Sequence, residues 1–139
     1  MSQNTEIHRR ALDAFNRRDK EAWLATVHPD LENLPPHNWP EQGVTRGAGA
    51  VWDFYVEAFE AFEDGGIETV GPIEEGDDTL VADIRANVRG KASGADAEWR
   101  YWQVLHLRDG KASKIAWFPD RAEAMQEAGI SEPPGRQPG

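Results

Sequence analysis

The stretch EWRYWQVLHL, residues 98–107, carries large side chains at almost every position. A β-strand places successive side chains on alternate sides, and most half-exposed strands are apolar on only one of them. One side of this strand takes Trp99, Tyr101, Gln103 and Leu105. The other side takes Arg100, Trp102, Val104 and His106. The two sides therefore face different surroundings, which the rest of the sequence helps to identify.

Helical patterns occupy the first half of the chain. Apolar residues recur at helical spacing over 4–18, and Asp19 can cap a second, short helix that runs to about residue 27. The sequence HPD breaks that helix, a short extended LENL follows, and a loop with three prolines carries Trp39. Residues 47–63 form the strongest helical stretch, which Gly65-Gly66 ends.

Strand patterns fill most of the second half, in IETVGPIEE, TLVADIRANVRG, AEWRYWQVLHL and KASKIAWF. A last helix is predicted over 121–128, with Asp120 as its cap and Gly129 as its stop. Helices followed by a strand meander predict an α+β domain in which helices pack on an antiparallel sheet. We expect one domain over 1–130 and a disordered tail over 131–139, which is rich in proline and glycine.

The turn RDG at 108–110 decides the register of the last two strands. A two-residue Asp-Gly turn would pair Arg108 with Lys111. A three-residue loop, with Gly110 as the left-handed bulge residue, would pair Leu107 with Lys111 instead. The choice matters because a shift of one residue moves every side chain to the opposite face.

The sequence favours the bulged loop, because the two-residue turn would bury the Lys114 ammonium unpaired beside Tyr101 and Gln103. In the bulged register Gln103 lies opposite Ile115, and Tyr101 lies opposite Trp117. The face predicted to cover the helices then holds Trp99, Tyr101, Gln103, Leu105, Ile115 and Trp117. The outer face holds Arg100, Trp102, Val104, His106, Lys114 and Phe118.

The outer face mixes aromatic and charged side chains, which is typical of a subunit interface. The residues expected at that interface are Arg100, Trp102, His106 and Phe118. We expect a homodimer with the two sheets back to back. The alternative is a monomer with some exposed aromatic side chains.

Composition excludes several classes of function. A net charge of −10 argues against nucleic acid and against anionic membrane surfaces as partners. The chain has no cysteine, so disulfides, thiolate metal sites and a cysteine nucleophile are excluded. No Sec-type signal peptide and no membrane-spanning run is visible, so a cytoplasmic location is the default expectation.

Motifs for metals and phosphates are absent from the sequence. The four histidines show neither HxH nor HExxH spacing and are not clustered with carboxylates, so we expect no metal site. The sequence RGAGA matches neither a phosphate-binding loop nor a dinucleotide fingerprint. We therefore expect no cofactor.

Several segments together resemble a known superfamily. They are AFNRRDKEAW at the end of the first helix, VHPDLEN before the first strand, RGAGAVWDFY in the long helix, and the closing HLRDGKASKIAWFPDRAEAMQEAGI. Over roughly residues 4–130 the chain resembles the NTF2-like proteins, more narrowly the SnoaL-like and ketosteroid-isomerase-like families. The resemblance implies a cone in which a curved antiparallel sheet wraps around the N-terminal helices and encloses an apolar cavity, often in a dimer.

Fold alone does not fix function in this superfamily, which includes isomerases, hydrolases, dehydratases, cyclases and proteins without catalysis. The resemblance places the aspartate base of the steroid isomerases near Leu34 or Pro35, and their oxyanion tyrosine near Ala11. It places their protonated acid near Gln103 and retains one supporting tyrosine as Tyr55. Most of that machinery is missing, so we reject this specific activity.

The epoxide hydrolases of this fold use two aspartates and an arginine. The matching pair here would be Asp83 and Arg85, in reversed order, and the second aspartate falls near Trp117. These two polar residues share one face of their strand. The simpler interpretation turns that face outward, whereas an inward face would make the pair an acid/base and anion-binding group.

We expect a cavity that binds a small, largely apolar organic molecule. The side chains predicted to line it are Trp23, Trp39, Phe59, Trp99, Tyr101, Ile115 and Trp117. The candidates for chemistry are Gln103, Tyr55, Asp83, Arg85 and His37. A buried Gln103 amide either donates to a ligand carbonyl or organises the core, and His37 is either a base at the cavity rim or a solvated loop residue.

Two classes of function therefore remain open, beside a third option in which the domain's own tryptophans fill the cavity. The first is a cofactor-independent isomerase, hydrolase or cyclase acting on a hydrophobic metabolite. The second is a non-catalytic carrier or association module. An enzyme requires a titratable group within reach of the ligand, whereas a carrier requires only an amide and aromatic walls.

Overall fold

The computed structural model describes residues 2–40, 42–60 and 66–130. The helices are α1 (Gln3–Asn16), α2 (Lys20–Leu24), α3 (Ala48–Phe59) and α4 (Arg121–Ala128). The strands are β1 (Val27–Leu34), β2 (Thr45–Arg46), β3 (Glu68–Glu75), β4 (Thr79–Arg89), β5 (Asp96–Arg108) and β6 (Lys111–Phe118). The predicted helix end at Gly65 and the predicted tail over 131–139 lie outside the described residues. One domain over 1–130 stays a prediction.

Aspartate side chains cap α2 and α4 where the sequence indicates. The Asp19 carboxylate accepts from the Ala22 amide at the start of α2, and Asp120 does the same for Ala122 at the start of α4. Side-chain capping satisfies amides that have no partner within the helix. The HPD sequence, predicted to separate a helix from a strand, instead belongs to β1, because α2 ends at Leu24.

The six strands form one curved, unclosed sheet in the order β2-β1-β6-β5-β4-β3. Neighbouring strands are antiparallel except β1 and β6, which run parallel. A parallel pair needs a long connection, and here the connection contains α3 and all four of the other strands. The α+β architecture with helices at the N-terminal end is as predicted.

The turn between β5 and β6 corrects the predicted loop. Asp109 and Gly110 both have positive φ, 53° and 75°, and Arg108 pairs with Lys111. This is a two-residue turn of the type I′ class, whose twist matches the twist of the flanking strands. The prediction of a three-residue loop is therefore wrong.

A bulge farther along β6 explains why the predicted faces are nevertheless right. Leu107 pairs with Ala112, but His106 pairs with Lys114, so Ser113 is the extra residue. Its hydroxyl donates to the His106 carbonyl at 3.1 Å. The bulge reverses the phase of β6 and places Lys114 on the outer side, where its ammonium lies 3.2 Å from a Glu127 carboxylate oxygen.

The cross-strand partners differ from the prediction by two residues. Gln103 lies opposite Trp117, and Leu105 lies opposite Ile115. The predicted pairs of Gln103 with Ile115 and of Tyr101 with Trp117 do not form. An even shift keeps each side chain on its predicted face, so the faces survive the change of register.

The two faces of the sheet pack against different helices. On the inner face, core residues of β4, β5 and β6 pack with α1, α2 and α3. On the outer face, Val81, Val104 and Ala116 pack against Ala124 and Met125 of α4. The final helix therefore covers part of the surface that the sequence assigns to a partner subunit.

The turn geometry gives a test of the corrected hairpin. Gly110→Ala should lower the free energy of unfolding by about 1–2 kcal/mol, because an alanine at a φ of 75° is strained. Gly49→Ala is the matched control: it lies within α3 with open space around it, and it should raise stability by up to about 1 kcal/mol. Urea unfolding of both variants measures the difference. Equal effects would contradict the turn assignment.

Candidate functional site

Aromatic side chains from helices and sheet meet at the inner face. Trp99 of β5 and Trp117 of β6 lie with ring centroids 5.4 Å apart and planes inclined by 68°. From α3, the Phe59 ring lies 5.9 Å from Trp99, and the Tyr55 ring lies 6.1 Å from Trp117. Edge-to-face contacts of this kind are the preferred arrangement of aromatic pairs. The two indoles therefore share one face, as predicted.

These aromatic rings surround a cavity of about 250 Å³. Among the side chains predicted to line it, Trp23, Trp39, Phe59, Trp99, Ile115 and Trp117 do so. The other apolar lining residues are Ile7, Ala11, Leu12, Phe15, Val27, Pro35, Pro36, Phe54, Ala58, Ile67, Leu105 and Ala112. Its polar lining groups are His8, Thr26, Asn33, Tyr55 and Gln103.

The proline loop after β1 contributes to one part of the lining. Pro35, Pro36 and Trp39 line the cavity. The Trp39 ring lies 6.5 Å from Trp99 and 5.8 Å from Tyr101, both edge-to-face. The Tyr101 side chain, predicted as a lining residue, packs on Trp39 and is not part of the lining.

Asn33 forms the centre of a buried hydrogen-bond network. Its Oδ1 accepts from the Tyr55 hydroxyl at 2.5 Å and from the Trp117 indole Nε1 at 2.9 Å. The side chain is fully buried. Burial raises the pKa of Tyr55 well above its ordinary value, and the hydrogen bond from Trp117 offsets part of that effect. Tyr55 is therefore a neutral donor at physiological pH.

His8 is a buried histidine in the cavity lining. Its Nε2 lies 2.9 Å from the Thr69 hydroxyl oxygen, and the residue is 2% exposed. Burial lowers the pKa of His8 to about 4, because the charged imidazolium loses hydration inside the protein. The imidazole is therefore neutral at physiological pH.

Three of the five candidates for chemistry lie outside the cavity. Asp83 and Arg85 are on the outer face of β4, where the Asp83 carboxylate lies 3.2 Å from Arg85 and 3.3 Å from Arg100. His37 is 63% exposed and lies 3.2 Å from the Glu123 carboxylate. Of the five, the structure brings only Gln103 and Tyr55 into the lining.

The profile of the SnoaL-like domain family matches residues 8–115. The chain belongs to the SnoaL-like domain family. No curated protein sequence matches it.

Solved structures are similar to this SnoaL-like domain in fold. An NTF2-like protein of unknown function from Burkholderia pseudomallei is 22% identical, with a TM-score of 0.74 over 92% of this chain and 98% of its own. TerC, co-crystallised with polyporic acid, is 24% identical, with a TM-score of 0.71 over 91% and 98%. An NTF2-like protein from Burkholderia xenovorans is 25% identical, with a TM-score of 0.67 over 91% and 95%.

Some of the positions that the family resemblance singles out lie in the cavity of this SnoaL-like domain, whereas Leu34, Asp83 and Arg85 do not. Pro35, Ala11, Gln103 and Trp117 all line it. None of these four side chains carries an ionisable group near neutral pH.

Sequence reasoning missed Asn33 and His8. Asn33 shares the inner face of β1 with Leu31, and a polar residue in the apolar phase of a strand is the signal that could have found it. His8 lies on the apolar stripe of α1, one turn before Ala11 and two before Phe15. A histidine in such a stripe predicts a buried imidazole.

Groups of metal-binding side chains and membrane-spanning helices are absent from the described ranges. Across residues 2–40, 42–60 and 66–130, no three His, Cys, Asp or Glu side chains are grouped to hold a metal ion. No helix in that part of the chain is long and apolar enough to cross a bilayer.

His8 makes stability depend on pH. Between its ordinary value of 6.5 and about 4, the unfolded chain binds a proton that the folded chain excludes, so the unfolding free energy falls as pH falls. The full contribution is roughly 3 kcal/mol above pH 6.5. His8→Gln should remove this part of the slope, and the exposed His37→Gln should leave it in place. Chemical denaturation at several pH values measures both, and parallel curves for wild type and His8→Gln would contradict the prediction.

Proposed function

We propose that this SnoaL-like domain binds a small, neutral, largely apolar organic molecule in the cavity between α1, α3 and the inner face of the sheet. The observation that carries the proposal is the aromatic cavity of about 250 Å³ with few polar groups. A well-formed apolar cavity with a small number of convergent polar groups is the usual form of a small-molecule site.

The volume limits the size of the ligand. An engineered apolar cavity of about 150 Å³ accommodates benzene, so a cavity of about 250 Å³ corresponds to about ten non-hydrogen atoms. A steroid exceeds this volume. The size therefore agrees with the absence of the steroid-isomerase groups at Pro35 and Ala11.

The electrostatics favour an uncharged ligand. Within the described part of the chain, the lining contains no Asp, Glu, Lys or Arg. His8 and Tyr55 are both neutral at physiological pH. A charged ligand would be buried without an opposite charge, which costs several kcal/mol.

The same observations favour binding over acid–base catalysis. Asp83, Arg85 and His37, the candidates for proton transfer or anion binding, lie away from the cavity. The remaining titratable groups of the lining are a weak base, His8, and a phenol with a raised pKa, Tyr55. An effective acid or base has a pKa near the working pH. A carrier or sensor of a small molecule therefore fits the cavity better than an isomerase or hydrolase.

A homodimer through the outer face of the sheet, where α4 leaves it uncovered, is our second proposal. His106, expected at the interface, is instead held by Glu127 of α4, with His106 Nε2 and the carboxylate oxygen 2.8 Å apart. On the remaining face, Asp83 Oδ1 and Arg85 Nε are buried without a hydrogen-bond partner among the described residues. Arginine and tryptophan are enriched in interfaces, and we place the contact around Arg100 and Trp102.

Indane, a neutral hydrocarbon of nine carbon atoms, tests the cavity. It should bind and raise the melting temperature, as any ligand specific for the folded state does. Ala11→Phe fills the cavity and should weaken binding at least tenfold, whereas Ala122→Phe, exposed on α4, should not. Calorimetry with wild type and both variants measures the affinities. Equal affinity in all three would show that indane binds elsewhere.

Sedimentation tests the dimer. Wild type should sediment with the mass of two chains at tens of micromolar. The Arg100→Ala dimer should be weaker, so that it dissociates at about tenfold higher protein concentration than the wild-type dimer. Its matched control is Arg9→Ala, since Arg9 is also exposed and ion-paired but lies on α1. Arg9→Ala should change the free energy of unfolding by only about 0–1 kcal/mol, because its ion pair is solvent-exposed, whereas Arg100→Ala should cost more, because Arg100 pairs with the buried Asp83 carboxylate. A single-chain mass at every concentration would overturn the proposal.

A further inference from the structure

Two buried amide groups in the cavity lining have polar atoms without partners. The Trp117 indole can only donate a hydrogen bond, so the Asn33 atom that it contacts is the oxygen. The other amide atom of Asn33, Nδ2, is therefore a donor. It is buried and has no hydrogen-bond partner among the residues that the structure describes.

Gln103 provides the second unpartnered atom. Its Oε1 is buried, and no described group donates to it. Gln103 lies directly opposite Trp117 in the β5–β6 ladder, and the residue is 6% exposed. Both amides therefore lie beside the same indole, one offering a donor and the other an acceptor.

A buried amide without a partner is unfavourable, and most buried polar groups in native proteins have one. Both side chains line a cavity that is otherwise apolar and uncharged. A molecule in that cavity can supply the missing acceptor and the missing donor together. A charged molecule would not match two neutral amides.

Resting on the proposed function, we infer that the ligand class is neutral molecules with a hydrogen-bond acceptor and a donor close together at one end of an apolar body, as in a lactam or a primary amide. Asn33 Nδ2 donates to the ligand's carbonyl oxygen. Gln103 Oε1 accepts from the ligand's N–H or O–H group. The aromatic walls enclose the apolar remainder.

Four rigid probes of nearly the same shape separate these contacts. Oxindole has both groups, 2-indanone only the acceptor, indole only the donor, and indane neither. Titration calorimetry gives the dissociation constant of each probe. For each probe, the affinity of a variant is divided by the affinity of wild type. The hydration of the probe cancels in this ratio, which therefore reports the contact that the substitution removes.

The variants should give reciprocal patterns. Gln103→Met keeps the length of the side chain and removes the acceptor, so it should weaken oxindole and indole about fivefold and leave 2-indanone and indane within twofold. Asn33→Leu should weaken oxindole and 2-indanone instead. The control is Gln126→Met on α4, which is exposed and should change no affinity.

The outcomes separate this inference from the proposed function. If all four probes bind wild type and Gln103→Met changes every affinity equally or not at all, the amides do not select the ligand, and the inference is overturned while the binding function stands. If no probe binds up to its solubility limit, the proposed function fails as well. If Asn33→Leu does not fold, the Gln103→Met variant still tests the inference. The affinity of this variant should fall for oxindole and stay unchanged for indane.

Discussion

Asn33 Oδ1 accepts hydrogen bonds from a helix and from a strand at once, and this junction fixes the geometry of the cavity. It links β1, which carries Asn33, to α3 through Tyr55 and to β6 through Trp117. Because the acceptor has two lone pairs, it accommodates both donors, and either donor that turned away would lose this acceptor in an apolar environment. The junction holds the long helix at a set distance from the sheet.

That distance leaves space because of the residues beside the junction. The large aromatic rings meet edge to face and do not stack in parallel, so they leave space between them. Small side chains, Ala11, Ala58 and Ala112, line the space between them. Protein interiors usually pack as densely as organic crystals, so a gap of about 250 Å³ forfeits contacts that a larger residue at these positions would make. The cavity therefore lowers the stability of the folded chain relative to one with a filled core.

The sequence alone predicted the fold class, the caps at Asp19 and Asp120, and the side chains on each face of β5. These depend on local periodicity and on capping chemistry, which short stretches contain. The predicted pairing of β5 with β6 was wrong because two features each shift it by one residue. They are the two-residue turn at Asp109-Gly110 and the bulge at Ser113. The sequence did not predict the roles of Asn33 and His8, because each role depends on a partner far along the chain, Trp117 for Asn33 and Thr69 for His8.

The parallel pairing of β1 with β6 has a consequence for how the chain folds. The two strands belong to opposite ends of the described sequence, and the Asn33–Trp117 contact joins positions 84 residues apart. Contacts of such long range slow folding, since the entropy of closing the loop is lost before the contact forms. The early helices and β1 therefore have no finished surface to pack on until the last strand is in place. Asn33 of β1 and Trp117 of β6 both line the cavity, so its wall is complete only once these two strands have paired.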